Sequence, residues 1–299
     1  MDIKKSSLLV AASDGSSLQI DCLTIGTGAP RTLLLSGIHG NEKTGQIVIA
    51  ELLKKELSFS GTLTIVPIAN PTGFLKNTRE ESISGLDLNR HFFDANTNTG
   101  TAIIETLTQL AKQHDFVIDL HNFTTEGFVQ VVSNHIGGSD YLATLFNPDV
   151  VRSASEEQKI KRTGTLARYL KEANVPYVLI ELPVDTKVSP EYINRIVMGL
   201  LSHLKECSSY SKLTANSFNQ IQKVVIRPIK SEMTGVFERN AQFVIGANVS
   251  QGEIIGTIEN NQGTLPIYSS HAGVVCEMDN DEQRTVSLGS TLIAIGEPV

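Results

Sequence analysis

From residue 32 to residue 206, short apolar runs alternate with stretches of helical spacing. Residues 32–36 form an apolar strand. Residues 42–57 carry Ile47, Val48, Ala50, Leu52, Leu53 and Leu57 at helical intervals. Residues 62–68 (T-L-T-I-V-P-I), 115–120 (D-F-V-I-D-L) and 176–182 (P-Y-V-L-I-E-L) read as strands, and 101–113, 157–173 and 189–206 as helices. This alternation predicts an α/β fold, a mixed, mostly parallel sheet with helices on both faces. Residues 8–25 alternate apolar and polar around Asp14-Gly15, the pattern of a β-hairpin. The period changes after residue 207. The stretch C-S-S-Y-S-K-L-T-A-N-S-F-N-Q reads as a linker, and residues 222–299 are rich in Val, Ile, Thr and Gly with no helical period. The expectation is a catalytic domain over 1–210 and a small C-terminal all-β domain, barrel-sandwich-like, over 220–299.

A net charge of −7 argues against a nucleic-acid or anionic-membrane partner, because both need a basic surface. A small anionic substrate stays open, because a few Arg residues can dominate one pocket. The first residues hold only a five-residue apolar run, L-L-V-A-A, too short for a signal segment or a span, so the expected location is cytoplasmic. Three sparse cysteines, Cys22, Cys207 and Cys276, do not make a disulfide framework.

In such folds functional residues gather at the carboxyl ends of strands. His39, His121 and Glu181 each fall at or just after a strand end. His39 and Glu42, in S-G-I-H-G-N-E-K-T-G, form a short-spacer pair of metal donors, with Glu42 placed in the first helical turn. A catalytic zinc site takes three protein ligands and keeps one position open. His121 is the best third ligand, and Asp119, two residues earlier on the same strand face, could orient its imidazole. Two other readings compete. His39 and Glu42 could merely cap the helix and complement its dipole. The stretch also approaches a phosphate loop, but Glu42 replaces the second glycine, where a carboxylate repels phosphate.

Arg79, Asn89 and Arg90, in T-R-E and D-L-N-R-H-F, supply a guanidinium pair and a directed amide suited to a carboxylate. Together the motifs H-G-N-E-K-T-G, A-N-P-T-G-F, T-R-E with D-L-N-R-H-F, D-L-H-N-F-T and L-I-E-L resemble the aspartoacylase and succinylglutamate desuccinylase family, part of the wider zinc carboxypeptidase-like group. The resemblance spans roughly residues 33–183 in the family's order. It implies one zinc per chain, held by His39, Glu42 and His121. It matches Glu181 to the general base that activates the zinc-bound water and Arg79 to the residue that polarises the scissile carbonyl. It matches Asn89 and Arg90 to the substrate carboxylate clamp, and Asn122 to the family's H-N pair, also on the substrate side. The implied activity is zinc-dependent hydrolysis of an amide in a small carboxylate-bearing substrate, an N-acyl amino acid. The alternatives are a metallocarboxypeptidase acting on short peptides and a non-enzymatic zinc or ligand-binding protein.

The ten-residue step from Arg79 to Asn89 is longer than in the nearest aspartoacylases and closer to the carboxypeptidase side. Residues 133–163 match no motif. Arg152, Arg162 and Arg168 are candidates for a second substrate carboxylate. His91 is a candidate pocket residue, and His114, His135, His203 and His271 read as surface or structural. The tail resembles a lipoyl or biotinyl carrier domain, but Gln262 stands near the lysine's place, so no lipoyl or biotinyl group can be attached there. It reads as a cap, with lining the active-site entrance and forming a homo-oligomer as its two candidate roles.

Overall fold

In the computed structural model the described residues are 2–13, 15–94, 97–161, 163–207, 221–279 and 281–299. The chain opens with an antiparallel hairpin of β1 (Ile3–Ala11) and β2 (Ser17–Thr27), in register from Ile3↔Ile25 to Ala11↔Ser17. Asp14, in its expected turn, lies outside the described residues. Next come β3 (Arg31–Ser36), α1 (Thr44–Leu53), β4 (Gly61–Val66), α2 (Pro71–Lys76), a 3-10 turn at Leu88–Arg90, α3 (Thr99–Ala111), β5 (Phe116–Asn122), β6 (Glu126–Gly127) and β7 (Gln130–Ser133). They are followed by α4 (Ser139–Leu145), β8 (Val150–Ser153), α5 (Glu156–Lys161), α6 (Leu166–Glu172), β9 (Tyr177–Leu182) and α7 (Pro190–Glu206). The linker expected at 207–220 lies outside the described residues apart from Cys207. Beyond it run β10 (Lys223–Lys230), β11 (Gly235–Arg239), β12 (Asn248–Val249), β13 (Ile254–Asn260), β14 (Gly263–Tyr268), β15 (Gly273–Met278), β16 (Gln283–Val286) and β17 (Thr291–Pro298).

Thirteen strands share one sheet in the order β1-β2-β4-β3-β5-β9-β7-β8-β10-β17-β15-β12, with β6 against β15. Its centre, β4-β3-β5-β9, is parallel, and both flanks bring in antiparallel pairs. The mixed, mostly parallel core therefore matches the expectation. The C-terminal segment is all strand, as its period indicates. Only β14-β13-β11-β16 form a separate antiparallel sheet. β10 pairs parallel to β8, so β10, β17, β15 and β12 prolong the main sheet.

The central strands are apolar on both faces because helices cover both. On one side Leu34, Ile118, Leu120, Val178 and Ile180 pack under α1, α4 and α7. On the other, Leu33, Leu35, Val117, Tyr177 and Leu179 pack under α3 and α6. The helix expected at 157–173 is two helices, α5 and α6. Gly164 explains the break: Phe92 N–H donates to Gly164 O (2.9 Å), and a methyl group at Gly164 would collide with the Arg90 carbonyl. Thr165 then restarts the helix by accepting from the Arg168 N–H. Among the described residues no helix is long and apolar enough to cross a membrane. The three cysteines are free and buried.

His203, on α7, is fully buried, with Nε2 2.8 Å from Thr32 Oγ1 and its ring edge-on to Phe116. Burial pushes its pKa down to about 3 from 6.5. The unfolded chain therefore takes up a proton below pH 6.5 that the folded one refuses. Stability from this group is complete above about pH 6.5 and falls as the pH drops towards 3, by up to roughly 1.4 kcal/mol per pH unit. Urea unfolding at pH 7 and pH 5 should show a loss that His203→Gln reduces by about 2 kcal/mol. Equal pH dependence in both proteins would contradict this role.

Candidate metal centre and active site

β3 ends at Ser36 and the chain turns over His39–Glu42, where Glu42 N–H donates to His39 O (3.1 Å). α1 begins only at Thr44. Glu42 thus precedes the helix rather than lying in its first turn, and its carboxylate reaches the end of β5, where the Asn122 N–H donates to it. Two glycines make that approach feasible. A methyl group at Gly45 would run into Ser36 Oγ and lie 2.9 Å from Leu120 Cβ, so α1 could not sit so close to β5. One at Gly40 would strike the backbone of Gly73 in α2.

β5 presents Asp119 and His121 on one face, two residues apart. His121 is the register partner of Glu181 on β9, so these side chains emerge side by side at the carboxyl ends of parallel strands. His39, Glu42 and His121 converge, and their candidate donor atoms lie within 4.8 Å of one another. His39 Nδ1 is 2.7 Å from Glu42 Oε1, His121 Nδ1 is 2.9 Å from Glu42 Oε2, and the two Nδ1 atoms are 3.2 Å apart. Both imidazoles turn Nε2 the other way, His39 to Asp87 Oδ1 (3.2 Å) and His121 to Asp119 Oδ2 (2.9 Å). Each imidazole thus has a carboxylate oxygen behind Nε2 and a Glu42 oxygen before Nδ1, and a carboxylate behind one ring nitrogen is the arrangement that turns the other towards a metal.

Burial alone would raise the Glu42 carboxyl, but the charges and hydrogen bonds of His121 and His39 hold it well below the usual carboxylate range. Burial would lower His121, yet the Asp119 and Glu42 carboxylates lift it well above an ordinary imidazole. Asp87 is likewise held low: burial opposes its charge, and His39, Arg79 and Arg90 outweigh that.

Asp87 is a residue that motif reading passed over, although it sits inside the quoted D-L-N-R. It accepts from Arg79 Nε (3.0 Å) and Asn89 N–H (3.0 Å) besides facing His39. One carboxylate thereby ties a candidate ligand, the candidate oxyanion arginine and the candidate clamp together. Arg79 Nη1 also lies 3.3 Å from Glu42 Oε1.

A cavity of about 1050 Å³ opens over the centre, lined by all eight residues singled out from the sequence: His39, Glu42, Arg79, Asn89, Arg90, His121, Asn122 and Glu181. Their commitments differ. Asn89 Oδ1 accepts from Leu166 N–H (3.0 Å), which leaves its NH2 as the group able to serve a ligand. Asn122 uses Oδ1 to accept from Thr44 N–H and Nδ2 to donate to Phe123 O, while its own N–H donates to Glu42 Oε2 (3.1 Å). Its side chain thus fixes α1 and the ligand loop. Glu181 lies 3.5 Å from Arg152 Nη1.

Of the three arginines considered for a second carboxylate, Arg152 stands beside Glu181 and Arg168 pairs with Glu172 (2.9 Å) at the rim. Arg162 lies outside the described residues. His91 pairs with Asp94 away from the cavity, while His135 lines its mouth. The unassigned stretch 133–163 supplies Arg152 and His135 to the wall. The C-terminal strands contribute Lys230, Glu277 and Thr291. Glu277 accepts from Gln130 Nε2 (2.8 Å), and burial raises its carboxyl despite the nearby Arg152 charge. No local sequence signal marks Glu277, because only the folding of β15 against β6 brings it here.

The fold is that of solved relatives. A succinylglutamate desuccinylase/aspartoacylase from Rhodobacter sphaeroides superposes with a TM-score of 0.77 at 17% identity, over 99% of this chain and 96% of that one. The product-bound ectoine utilization protein EutE (DoeB) from Ruegeria pomeroyi gives 0.79 at 21% identity, over 99% and 95%. An aspartoacylase family protein from Mesorhizobium loti gives 0.75 at 20%, over 99% and 95%. No curated protein matches the sequence. The catalytic-domain profile of the succinylglutamate desuccinylases and aspartoacylases matches residues 28–207, more than half of the chain and the stretch that holds the whole His-Glu-His centre. With that match, the chain belongs to the succinylglutamate desuccinylase/aspartoacylase family.

Proposed function

We propose that the protein is a zinc-dependent amidohydrolase that releases an acyl group from an N-acyl amino acid. The observation that carries this is the convergence of two imidazole Nδ1 atoms and one carboxylate at a buried point beside Glu181. Two Nδ1 and two Oε atoms face one another there, a cluster of atoms able to ligate one cation. The donor set suits zinc: His39 and His121 through their Nδ1 atoms and Glu42 through its carboxylate would hold it, the two-imidazole, one-carboxylate set of a catalytic site. When bound, zinc would act as a Lewis acid on the scissile carbonyl and make water available as hydroxide near neutral pH.

The chain's own groups do the rest. Glu181, side by side with His121, accepts the proton of the attacking water and returns it to the leaving nitrogen. Arg79, held by Asp87, donates to the developing oxyanion. Arg90 and the Asn89 amide hold the substrate carboxylate and fix the angle of attack. The product-bound relative supports a small-molecule substrate. The runner-up within this chemistry is a carboxypeptidase, which uses the same clamp. A plain zinc-binding protein is disfavoured because it needs neither Glu181 nor Arg79.

The test is metal analysis of the purified protein followed by a panel of N-acyl amino acids and short peptides. About one zinc per chain with turnover of an N-acyl amino acid is expected. Turnover of peptides alone moves the assignment to a carboxypeptidase. A zinc-loaded protein that turns over nothing on the panel overturns the hydrolase reading.

A further inference from the structure

Below the metal-ligand plane, on the face covered by α3 and α6, lies a polar group that the proposed reaction does not use. Tyr177, at the start of β9, is fully buried in an otherwise apolar layer. Its hydroxyl donates to Asp119 Oδ2 at 2.8 Å. The same oxygen accepts from His121 Nε2 at 2.9 Å. Asp119 Oδ1 is buried and has no hydrogen-bond partner among the described residues. Every tether on this carboxylate therefore runs through one oxygen with two donors. If the hydroxyl is removed, Asp119 keeps a single tether and can rotate about it.

Tyr177 itself is fixed from the backbone side. Asn134 Oδ1 accepts from Tyr177 N–H (3.1 Å), Asn134 N–H donates to Tyr177 O (3.2 Å), and Asn134 Nδ2 donates to Val175 O (2.8 Å). Val117 and Tyr177 are register partners across β5 and β9, so the ring lies beside Val117 and the hydroxyl reaches up to Asp119. The row reads Tyr177, Asp119, His121, then the metal position. A fully buried hydroxyl needs a partner, but that requirement does not select this partner. A Phe there would fill the same volume without a polar group to satisfy.

We propose that Tyr177 is a positioning residue: its hydroxyl clamps Asp119, and through Asp119 it sets the orientation in which His121 offers Nδ1 to the metal. Groups that orient a ligating imidazole typically alter metal affinity by 10–100-fold. Tyr177 stands one bond further out, so a smaller effect is expected. The inference rests on the metal-site reading above.

The experiment is zinc affinity by chelator competition for the wild type, Tyr177→Phe, Asp119→Asn and the double variant. Cobalt spectra of each report ligand geometry. Tyr177→Phe should weaken zinc binding about 3–10-fold and alter the cobalt bands, and Asp119→Asn about 10–100-fold. The double variant should bind no worse than Asp119→Asn alone, because the hydroxyl acts only through that carboxylate. Val117→Ala supplies the control. It loosens the same pair of strands without touching Asp119, and it should leave affinity and spectrum unchanged. Wild-type affinity in Tyr177→Phe, additive losses in the double variant, or an equal loss in Val117→Ala overturns the proposal. A wild type that binds no zinc overturns the metal-site reading instead, so the two failures are told apart.

Discussion

Glu181→Gln is expected to lower kcat on the substrate that the wild type hydrolyses by roughly 10²–10⁴-fold, the range for losing a positioned general base. The amide keeps the shape of the side chain and an oxygen for Arg152 Nη1, now 3.5 Å away. It does not keep the ability to take a proton. His39, Glu42 and His121 have their own partners in Asp87, Asn122 and Asp119, none of which involves the Glu181 side chain. Zinc content should therefore be unchanged. The expected pattern is a fall in kcat with KM close to the wild type's, since in the proposed function Arg90 and Asn89 would carry the ground-state contacts. A variant that keeps more than a tenth of the activity would show that another group moves the proton, and Glu277, a half-buried carboxyl on the same cavity wall, would be the next to test.

His121→Ala should abolish stoichiometric zinc binding. It also has a second effect that can be separated from the first. It removes one of the two donors to Asp119 Oδ2, leaving a fully buried carboxylate held by Tyr177 alone. Removing one member of a buried charged pair costs about 3–5 kcal/mol. The metal contribution is different in kind. A ligand at 100 times its Kd stabilises the folded state by about 2.7 kcal/mol. For a chain of this size that corresponds to a rise of about 5 °C in Tm. Thermal unfolding with zinc and with excess chelator resolves the two effects. The wild type should be raised by zinc, and the variant should unfold lower and show no response. A variant that still responds to zinc would remove His121 from the ligand set.

Much of this was legible in the chain. The layers follow from the period of the apolar residues, and each central strand is apolar on both faces because both are covered. His39, His121 and Glu181 were recognisable because parallel strands all end on the same side, so strand-end residues far apart in sequence become neighbours. The supporting groups were less visible. Asp87 and Asp119 lie within two residues of motif positions, and strand spacing alone suggested Asp119 for His121. Tyr177 and Glu277 carry no such mark. Each acts through a contact made by a strand pairing, β5 with β9 or β15 with β6, and a pairing is a property of two segments at once. The split between α5 and α6 was marked by T-G-T at 163–165, a glycine followed by a capping threonine. Its cause, the closeness of Gly164 to the Arg90 carbonyl, is again non-local. Asn122 illustrates the reverse. Its place in D-L-H-N-F-T points to substrate, but its amide is engaged at both ends by backbone.

The pairing of β10 with β8 bears on how this protein could be dissected. The profile of its family stops at residue 207, an inviting place to cut. A fragment ending there would bare the edge of β8, a row of unpaired amides and carbonyls that can recruit any other extended chain. It would also lose the cavity wall that holds Lys230, Glu277 and Thr291. The two halves that composition separates share a ladder of hydrogen bonds between β8 and β10.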